Sequence, residues 1–416
     1  MNQFESALKQ LSSVEKNLLW LGLLVLPLSD LPLRQSSLGA MGANASLILF
    51  EVSFGFWILK KTIKFRTNGY FTINRWMLLF LLFEIVVNVV AIMFYGIKCK
   101  NELLLFKGLK LCILWTIVFY VSTRNFTDPF FKNAIGGALL LTVAGLLFEN
   151  YLGWLHGIPN FNMRPRGLSA ESSHLAASFA LLMIIWGATK SQKIKWLCLL
   201  STILVMFYIR SKGGLIIVAV CTVAYVILLL CSWLSAKVIS LKKFSAISLL
   251  MFTLSIVASF VFINLKEMFI IDILYFTSSG TRLSLALTAL LIGASSVTGV
   301  GFTGYLPALV AYIPTTVNRL KQMNIRLNFN EVLHFVHQAS DTSITTKSFW
   351  LDNIVIFGII FIFIFFIFHL WLWIKNTNPW IRIMLLATVL TLSWLEPPAV
   401  LTPFVAYAYI LNLQEK

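Results

Sequence analysis

The chain has 416 residues, of which 59% are hydrophobic and 12% charged, with a mean hydropathy of +0.86. A soluble domain carries about 25% charged residues, so an ordinary globular enzyme is excluded and lipid is the expected main solvent. The net charge of +17, from 33 basic against 16 acidic residues, fits the cytoplasmic anchoring loops of a membrane protein; no soluble stretch has the basic run with interleaved aromatics that nucleic-acid binding calls for.

The N-terminal stretch Met1–Lys16 is polar and mildly amphipathic, with no small-residue cleavage site after the first apolar run. It reads as a cytoplasmic lead-in and not as a cleaved signal. A bilayer core about 30 Å thick needs about 20 mostly apolar residues rising about 1.5 Å each. Suitable runs lie at 18–33, 37–59, 76–95, 104–122, 134–152, 172–189, 196–209, 214–234, 244–264, 351–374, 383–396 and 399–412, about twelve in all. An N-terminus on the inside puts Lys60, Lys61, Lys64, Arg66 and Arg75 in one cytoplasmic loop. Lys190, Lys193 and Lys195 fall in a second, Lys237, Lys242 and Lys243 in a third, and Lys375 with Arg382 in a fourth, as the positive-inside bias requires.

The expected fold is therefore an all-α polytopic membrane protein. Residues 1–264 hold spans one to nine, 265–350 form a long periplasmic loop, and 351–416 hold the last three spans. The loop contains Pro307, Pro314 and one semi-apolar piece, Leu283–Val300. Ser284, Thr288, Ser295, Ser296 and Thr298 make that piece amphipathic, so an interfacial or re-entrant helix fits better than a further span. Glu84, with Asn88 one turn on, sits mid-span and far from the outer loops; a packing or polar-network role weighs above a functional one. Cys99, Cys112, Cys198, Cys221 and Cys231 form no CxxC pair and read as small core hydrophobes, not as a disulfide frame or metal site.

Arg164, Arg166, Arg210, Lys212, Arg282, Arg319, Lys321, Arg326 and Lys347 fall on the outer side, against the usual bias. Singly, each is explained by headgroup contact or snorkelling. Together they form a pattern. Arg164 and Arg166 flank Pro165 just before a span, Arg210-Ser-Lys-Gly-Gly fills a tight turn between two spans, and Arg282 follows Ser278-Ser-Gly-Thr. Each is a cation beside Gly or Ser at a helix start, where free N–H groups and the positive dipole end favour an anion. Arginine adds a planar fork suited to phosphate oxygens. Three such sites converging would hold a diphosphate at the membrane surface, and a lipid-linked diphosphate is the anion in that place. Glu171 and His174, at i,i+3 by the mouth of a span, are base or acceptor-positioning candidates, or helix caps near Ser169 and Ser172. Glu331, His334 and His337 recur at i, i+3, i+6; only two of them share a face, so no metal is expected there.

Arg164, Gly167, Glu171 and Ala176 make an Arg-x-x-Gly-x-x-x-Glu-x-x-x-x-Ala pattern; the turn Ser211-Lys-Gly-Gly214 follows, then Gly280 and Arg282 ahead of Gly299 and Gly301. A long outer loop with a late His337 precedes a span with Gly358-Ile-Ile. In these features the chain resembles the O-antigen ligase and O-antigen polymerase superfamily, integral glycosyltransferases of the bacterial inner membrane that use undecaprenyl-diphosphate-linked glycans. The likeness runs from about residue 130 to 375 and includes the span count. It implies glycosyl transfer at the periplasmic face, without metal or cofactor and with inversion. Arg166 and Arg282 would clamp the diphosphate, with Arg164, Arg210 and Lys212 in support. His337 is the first candidate for general base, with Asp341 one turn later to orient it, and Glu171 stands beside them. Where the family's loop histidine usually stands, nearer that glycine, this chain has Lys347-Ser348, and His337 lies upstream.

The implied partners are lipid-linked donor and acceptor glycans and the bilayer; a chain-length regulator is compatible as a further one. The modest loop and the segment ending Glu-Ser-Ser-His favour polymerase over ligase. From another class, a lipid-oligosaccharide flippase should place its cations within the spans, and here the outer loops hold them.

Overall fold

In lipid every backbone N–H and C=O has to be bonded within the protein, and a helix does this inside its own segment. The computed structural model describes residues 2–28, 44–68, 75–100, 102–151, 165–169, 171–234, 277–324, 327–338, 346–395 and 401–413. These are all-helical apart from one two-strand hairpin, with fifteen α-helices among the described residues. The run 244–264, the basic residues 237–243, Arg164, Arg326 and Asp341 lie outside them.

The first core is built by α1 (Asn2–Leu24), α2 (Ala45–Asn68), α4 (Leu104–Ser122), α5 (Pro129–Leu147), α6 (Ser172–Gly187), α7 (Gln192–Ile209) and α8 (Lys212–Leu234). Two late helices complete it, α14 (Pro379–Trp394) and α15 (Thr402–Leu413). At its centre α6 is packed by α5, α7, α8, α14 and α15. Its sequence, Ser-Ser-His-Leu-Ala-Ala-Ser-Phe-Ala-Leu-Leu-Met-Ile-Ile-Trp-Gly, is apolar all round, as a helix with no lipid- or water-facing stripe must be. Small residues let neighbours come close: Gly187 faces Trp380, and Gly214 faces Ala176 and Met206.

Among the described residues four helices are long and apolar enough to cross a membrane by length and composition: α4, α5, α7 and residues 212–232 of α8. Four shorter helical stretches are also apolar, in α3 (Arg75–Tyr95), α6, α13 (Ile359–Lys375) and α14. The other expected runs are cut short in physical ways. The chain leaves helix after Leu24, α2 starts only at Ala45, and α15 has 12 residues. On the outside, α13 exposes Phe363, Ile364, Phe366 and Ile367, and α7 exposes Leu197, Leu200 and Leu204. So broad an apolar face belongs against lipid. Hydroxyls in these helices bond back one turn: Thr116 to Cys112 O at 2.8 Å, Thr142 to Ala138 O at 2.7 Å, Thr222 to Val218 O at 2.8 Å. Each of these three hydroxyls is thereby satisfied in an apolar setting.

The second core joins α9 (Thr277–Ser295), α10 (Gly301–Gln322), α11 (Asn330–Gln338) and α12 (Phe349–Phe357) to Leu104 of α4. Here the structure goes beyond the sequence reading. Residues 301–322, the part of the expected outer loop that carries Pro307 and Pro314, form a 22-residue helix whose inner face is buried. Asn88 of α3 anchors its start, its side chain accepting from Thr303 N at 2.8 Å and its carbonyl from the Thr303 hydroxyl at 3.1 Å. Asn88 thus joins the third helix to α10; the side chain of Glu84, where a packing or polar-network role is expected, lies outside the described residues. Trp115 of α4 touches both cores, with ring centroids 5.1 Å from Phe349 and 5.5 Å from Phe357.

The expected span 351–374 is likewise two helices, broken at Gly358 with φ of 76°. The break is imposed by a backbone crossing. Val300 N donates to Val355 O at 2.9 Å, and a Cβ on Gly358 would stand 1.9 Å from Val297 O. A Cβ on Gly299, at φ of 76°, would stand 2.3 Å from Ile356 O. Both positions need the left-handed region and no side chain. Gly358→Ala and Gly299→Ala should each cost at least about 2 kcal/mol, read as a lower unfolding midpoint of purified protein. Gly55→Ala, in open space in α2, should be neutral or stabilise by up to about 1 kcal/mol; equal midpoints for all three would refute the crossing.

Candidate active site

Charged residues collect at the two ends of the bundle. At one end Glu15, buried, takes Arg124 at 3.3 Å, the Tyr120 hydroxyl at 3.0 Å, and Lys60. Lys16 pairs with Asp128 at 3.2 Å, and Asn412 reaches Arg124 O at 2.9 Å. Lys190, Lys195, Lys375 and Arg382 lie over tryptophan rings at helix ends on this same side. This basal end is a structural closure with every carboxylate named here paired.

The opposite end is different. Glu171 stands at the N-cap of α6 but makes no cap bond to the backbone. Its carboxylate instead accepts from Ser173 Oγ at 3.2 Å and lies 3.9 Å from His174 Nε2. The carboxyl group lies at the rim of the bundle, its surface largely open and protein packed behind it. Burial by the surrounding helices pushes its pKa up, but His174, Lys347, the Ser173 hydroxyl and Arg282 together outweigh this and hold it below the usual carboxylate range. Glu171 is therefore ionised and within the electrostatic reach of two cations from distant parts of the chain.

Those cations are placed by the second core. Gly280 is pressed on the 328 backbone, where a Cβ would stand 2.2 Å from Asn328 O, so the first turn of α9 lies against the start of α11. Thr281, buried, donates to Glu331 Oε2 at 2.9 Å, and Lys347 donates to Glu331 Oε1 at 3.0 Å. Arg282, next to Thr281, is half-buried. Burial holds its guanidinium below the usual range, against the pull of Glu171 and Glu331. It remains a cation at any working pH.

Lys347 is held by a brace. Thr346 sends its N–H to Asp352 Oδ1 at 3.0 Å and its hydroxyl to the same oxygen at 2.6 Å; Tyr305 of α10 bonds that carboxylate too. Pinned on one side, Lys347 adopts φ of 57°, a left-handed state that costs a side-chain-bearing residue about 1–2 kcal/mol. Its ammonium lies 5.2 Å from the Phe335 ring centroid as well as on Glu331.

The other candidates are distributed as follows. Arg166 is buried in the turn 165–169, its N–H donating to Glu149 Oε1 at 3.0 Å, with Gly167 at φ of 53° packed on Gly145. Arg210 is exposed at the left-handed C-cap of α7, and Lys212 opens α8 after Ser211, whose hydroxyl takes Gly214 N at 3.2 Å. That turn lies beside Ala176, so it flanks α6 close to Glu171. His337 is exposed in the last turn of α11, where Lys100 of the 98–103 hairpin donates to its carbonyl at 2.8 Å. It is not among the groups that shift Glu171 or Arg282; the histidine near them is His174. Arg319 and Lys321 occupy the last turn of α10, where cations favour the helix dipole.

The structure thus sets His174 beside Glu171, ties Lys347 through Glu331 to the turn that holds Arg282, and leaves both cations within electrostatic influence of Glu171. The sequence reading counted Lys347 among the outer cations without giving it a role and weighed Glu331 only as a metal ligand. The clue available was that Lys347 stands where the resembling family has its loop histidine. Asp352→Ala should cost at least about 3 kcal/mol, since it strands the Thr346 and Tyr305 donors in a buried place. Lys347→Gly, which relieves the left-handed strain as it loses an ion pair, should change stability by less than about 1 kcal/mol. An unfolding midpoint as low for the second variant as for the first would refute the brace.

No family model matches the chain, and no solved structure matches it. It is similar to an uncharacterized 49.5 kDa protein in the cps region of Klebsiella pneumoniae, 25% identical over 352 residues that span 79% of this chain and 75% of that protein.

Proposed function

We propose that this protein is a membrane glycosyltransferase of surface-polysaccharide synthesis, most specifically a polymerase that moves an undecaprenyl-diphosphate-linked glycan onto a second lipid-linked repeat at the periplasmic face. The observation that carries the reading is the tie of Lys347 through Glu331 to the first turn of α9, next to Arg282, with both cations within electrostatic influence of Glu171. The Klebsiella relative adds a coarser support: it lies in a cps, or capsular polysaccharide, region, which suggests a role in surface-polysaccharide biosynthesis.

In the proposed reaction the acceptor hydroxyl oxygen attacks the anomeric carbon. The bond from that carbon to the diphosphate oxygen breaks, and its electron pair leaves with the diphosphate. Diphosphate is already a good leaving group, so the main requirement is charge stabilisation and orientation. Arg282 supplies a bidentate fork and Lys347 a point charge for the oxygens. Arg210 and Lys212 provide a second cationic flank, with Arg164 and Arg166 on the approach to α6.

Glu171 accepts the acceptor's proton. Its coupling to the cations makes this self-adjusting. With the site empty, Arg282 and Lys347 hold its proton affinity low. A bound diphosphate draws those charges to itself, and the affinity of Glu171 for a proton rises toward what a general base needs. This reading moves the base from His337, which lies at the far end of α11, to Glu171.

Deletion of the gene, followed by gel analysis of the host's surface polysaccharide, tests the reaction. The expected result is acceptor carrying one repeat. Bare acceptor would indicate the ligase reaction instead, and an unaltered ladder would refute both. Arg282→Ala and Lys347→Gly should each abolish chain extension at normal protein level, and wild-type ladders from both would remove the clamp. In a reconstituted assay, the acid limb of kcat/KM, which reports the empty site, should fall below the ordinary glutamate range near about pH 4.3. The sign follows from the depressed carboxyl: it stays ionised as pH falls until its lowered pKa is reached. His174→Gln, which removes the strongest influence holding Glu171 down and lies outside the clamp, should move that limb to higher pH; a limb unmoved would refute Glu171 as the base.

A further inference from the structure

At the basal end, away from Glu171, a cavity of about 80 Å³ opens between the first turns of α5, the last turn of α6 and the end of α15. Lys132 and Asn133 of α5, Trp186 of α6, and Thr189 and Lys190 of the following turn line it. Every one of these can donate a hydrogen bond, and no lining residue is acidic. Tyr409 lines it too; the residue is 1% exposed, and no hydrogen bond among the described residues uses its hydroxyl. A concave set of donors with two ammonium groups and no carboxylate selects an anion rich in acceptor oxygens.

Two further observations say where that anion resides. First, the cavity lies in a belt of cations stacked on aromatic rings at the same end of the bundle. Lys190 is 4.7 Å from the Trp186 ring centroid, Lys16 4.7 Å from Phe130, and Lys375 4.8 Å from Trp371. Such aromatic belts mark the headgroup level of a bilayer. Second, Asn133, Leu140 and Leu147 recur every seven residues and are all exposed, so one face of α5 runs from the cavity mouth along an outward apolar track. A polar pocket with an apolar track leading from it matches a headgroup with acyl chains.

We propose that this cavity binds the phosphodiester headgroup of an anionic phospholipid, held by Lys132 and Lys190 and sealed by Trp186, with its acyl chains along α5. The site is independent of the transfer chemistry at the other end. Basic pockets between spanning helices are the usual seat of such headgroups, each cation near the surface contributing about 1 kcal/mol.

Native mass spectrometry of the full-length protein, delipidated and titrated with phosphatidylglycerol or phosphatidylcholine, tests this. Wild type should retain one phosphatidylglycerol at concentrations where phosphatidylcholine is lost. Lys132→Ala/Lys190→Ala should weaken that retention by about thirtyfold, the effect of two such cations. Lys132→Arg/Lys190→Arg, which keeps the charge, should retain it. Should the alanine pair not fold, Lys132→Gln/Lys190→Gln carries the same expectation. Equal retention of the two lipids, or unchanged binding by the neutral variants, would overturn the proposal. Displacement of phosphatidylglycerol by inorganic phosphate at similar concentration would also overturn it, assigning the pocket to a soluble anion.

Discussion

Glu331 is the residue on which the reactive end closes. Its two carboxylate oxygens take different elements: Oε2 holds Thr281 in the first turn of α9, and Oε1 holds Lys347 ahead of α12. Without that bridge, Lys347 would be a cation on a loop with no tie to α9, worth little near water. With it, Lys347 is held to the first turn of α9, beside Arg282. In the proposed reaction this carboxylate therefore has a positioning part.

The bridge works because both cores are rigid where it attaches. On one side α6 is buried by five neighbours, so Glu171 at its start has a fixed base. On the other, α9 to α12 form their own apolar centre around Phe302, Leu306, Leu309 and Ile313. Aromatic contacts through Trp115, Phe349 and Phe357 join the two bodies. The glycine crossing at 299 and 358 brings the last turn of α12 against the loop before α10. A site assembled from loops of a membrane protein gains its precision from packing of this kind behind it.

How much of this the residues announce depends on the range of the forces involved. Apolarity is local, and it locates α3, α4, α6 and α8 to within a few residues of the runs 76–95, 104–122, 172–189 and 214–234. It fails where apolar character continues through a backbone event, as at Gly358, whose left-handed turn is set by Val297 some sixty residues earlier. It fails again at α10, where two prolines suggest a loop but tertiary burial and Asn88 favour a helix. The site divides in the same way. Glu171, His174 and Arg282 are legible because each sits at a helix start, a position with its own chemistry. Lys347 and Glu331 are not, because their pairing depends on Asp352, Tyr305 and Thr346 pinning a loop from two helices at once.

The buried Glu15 has a consequence for the order of assembly. Its partners lie on α2 and α4, at Lys60 and at Tyr120 with Arg124, so they are synthesised well after it. Until the ribosome has passed Arg124, a nascent chain holds that carboxylate with only part of its final solvation shell, near the boundary of a low-dielectric medium. The buried carboxylate is fully partnered only once α1, α2 and the end of α4 have come together, so this corner of the first core closes as one unit.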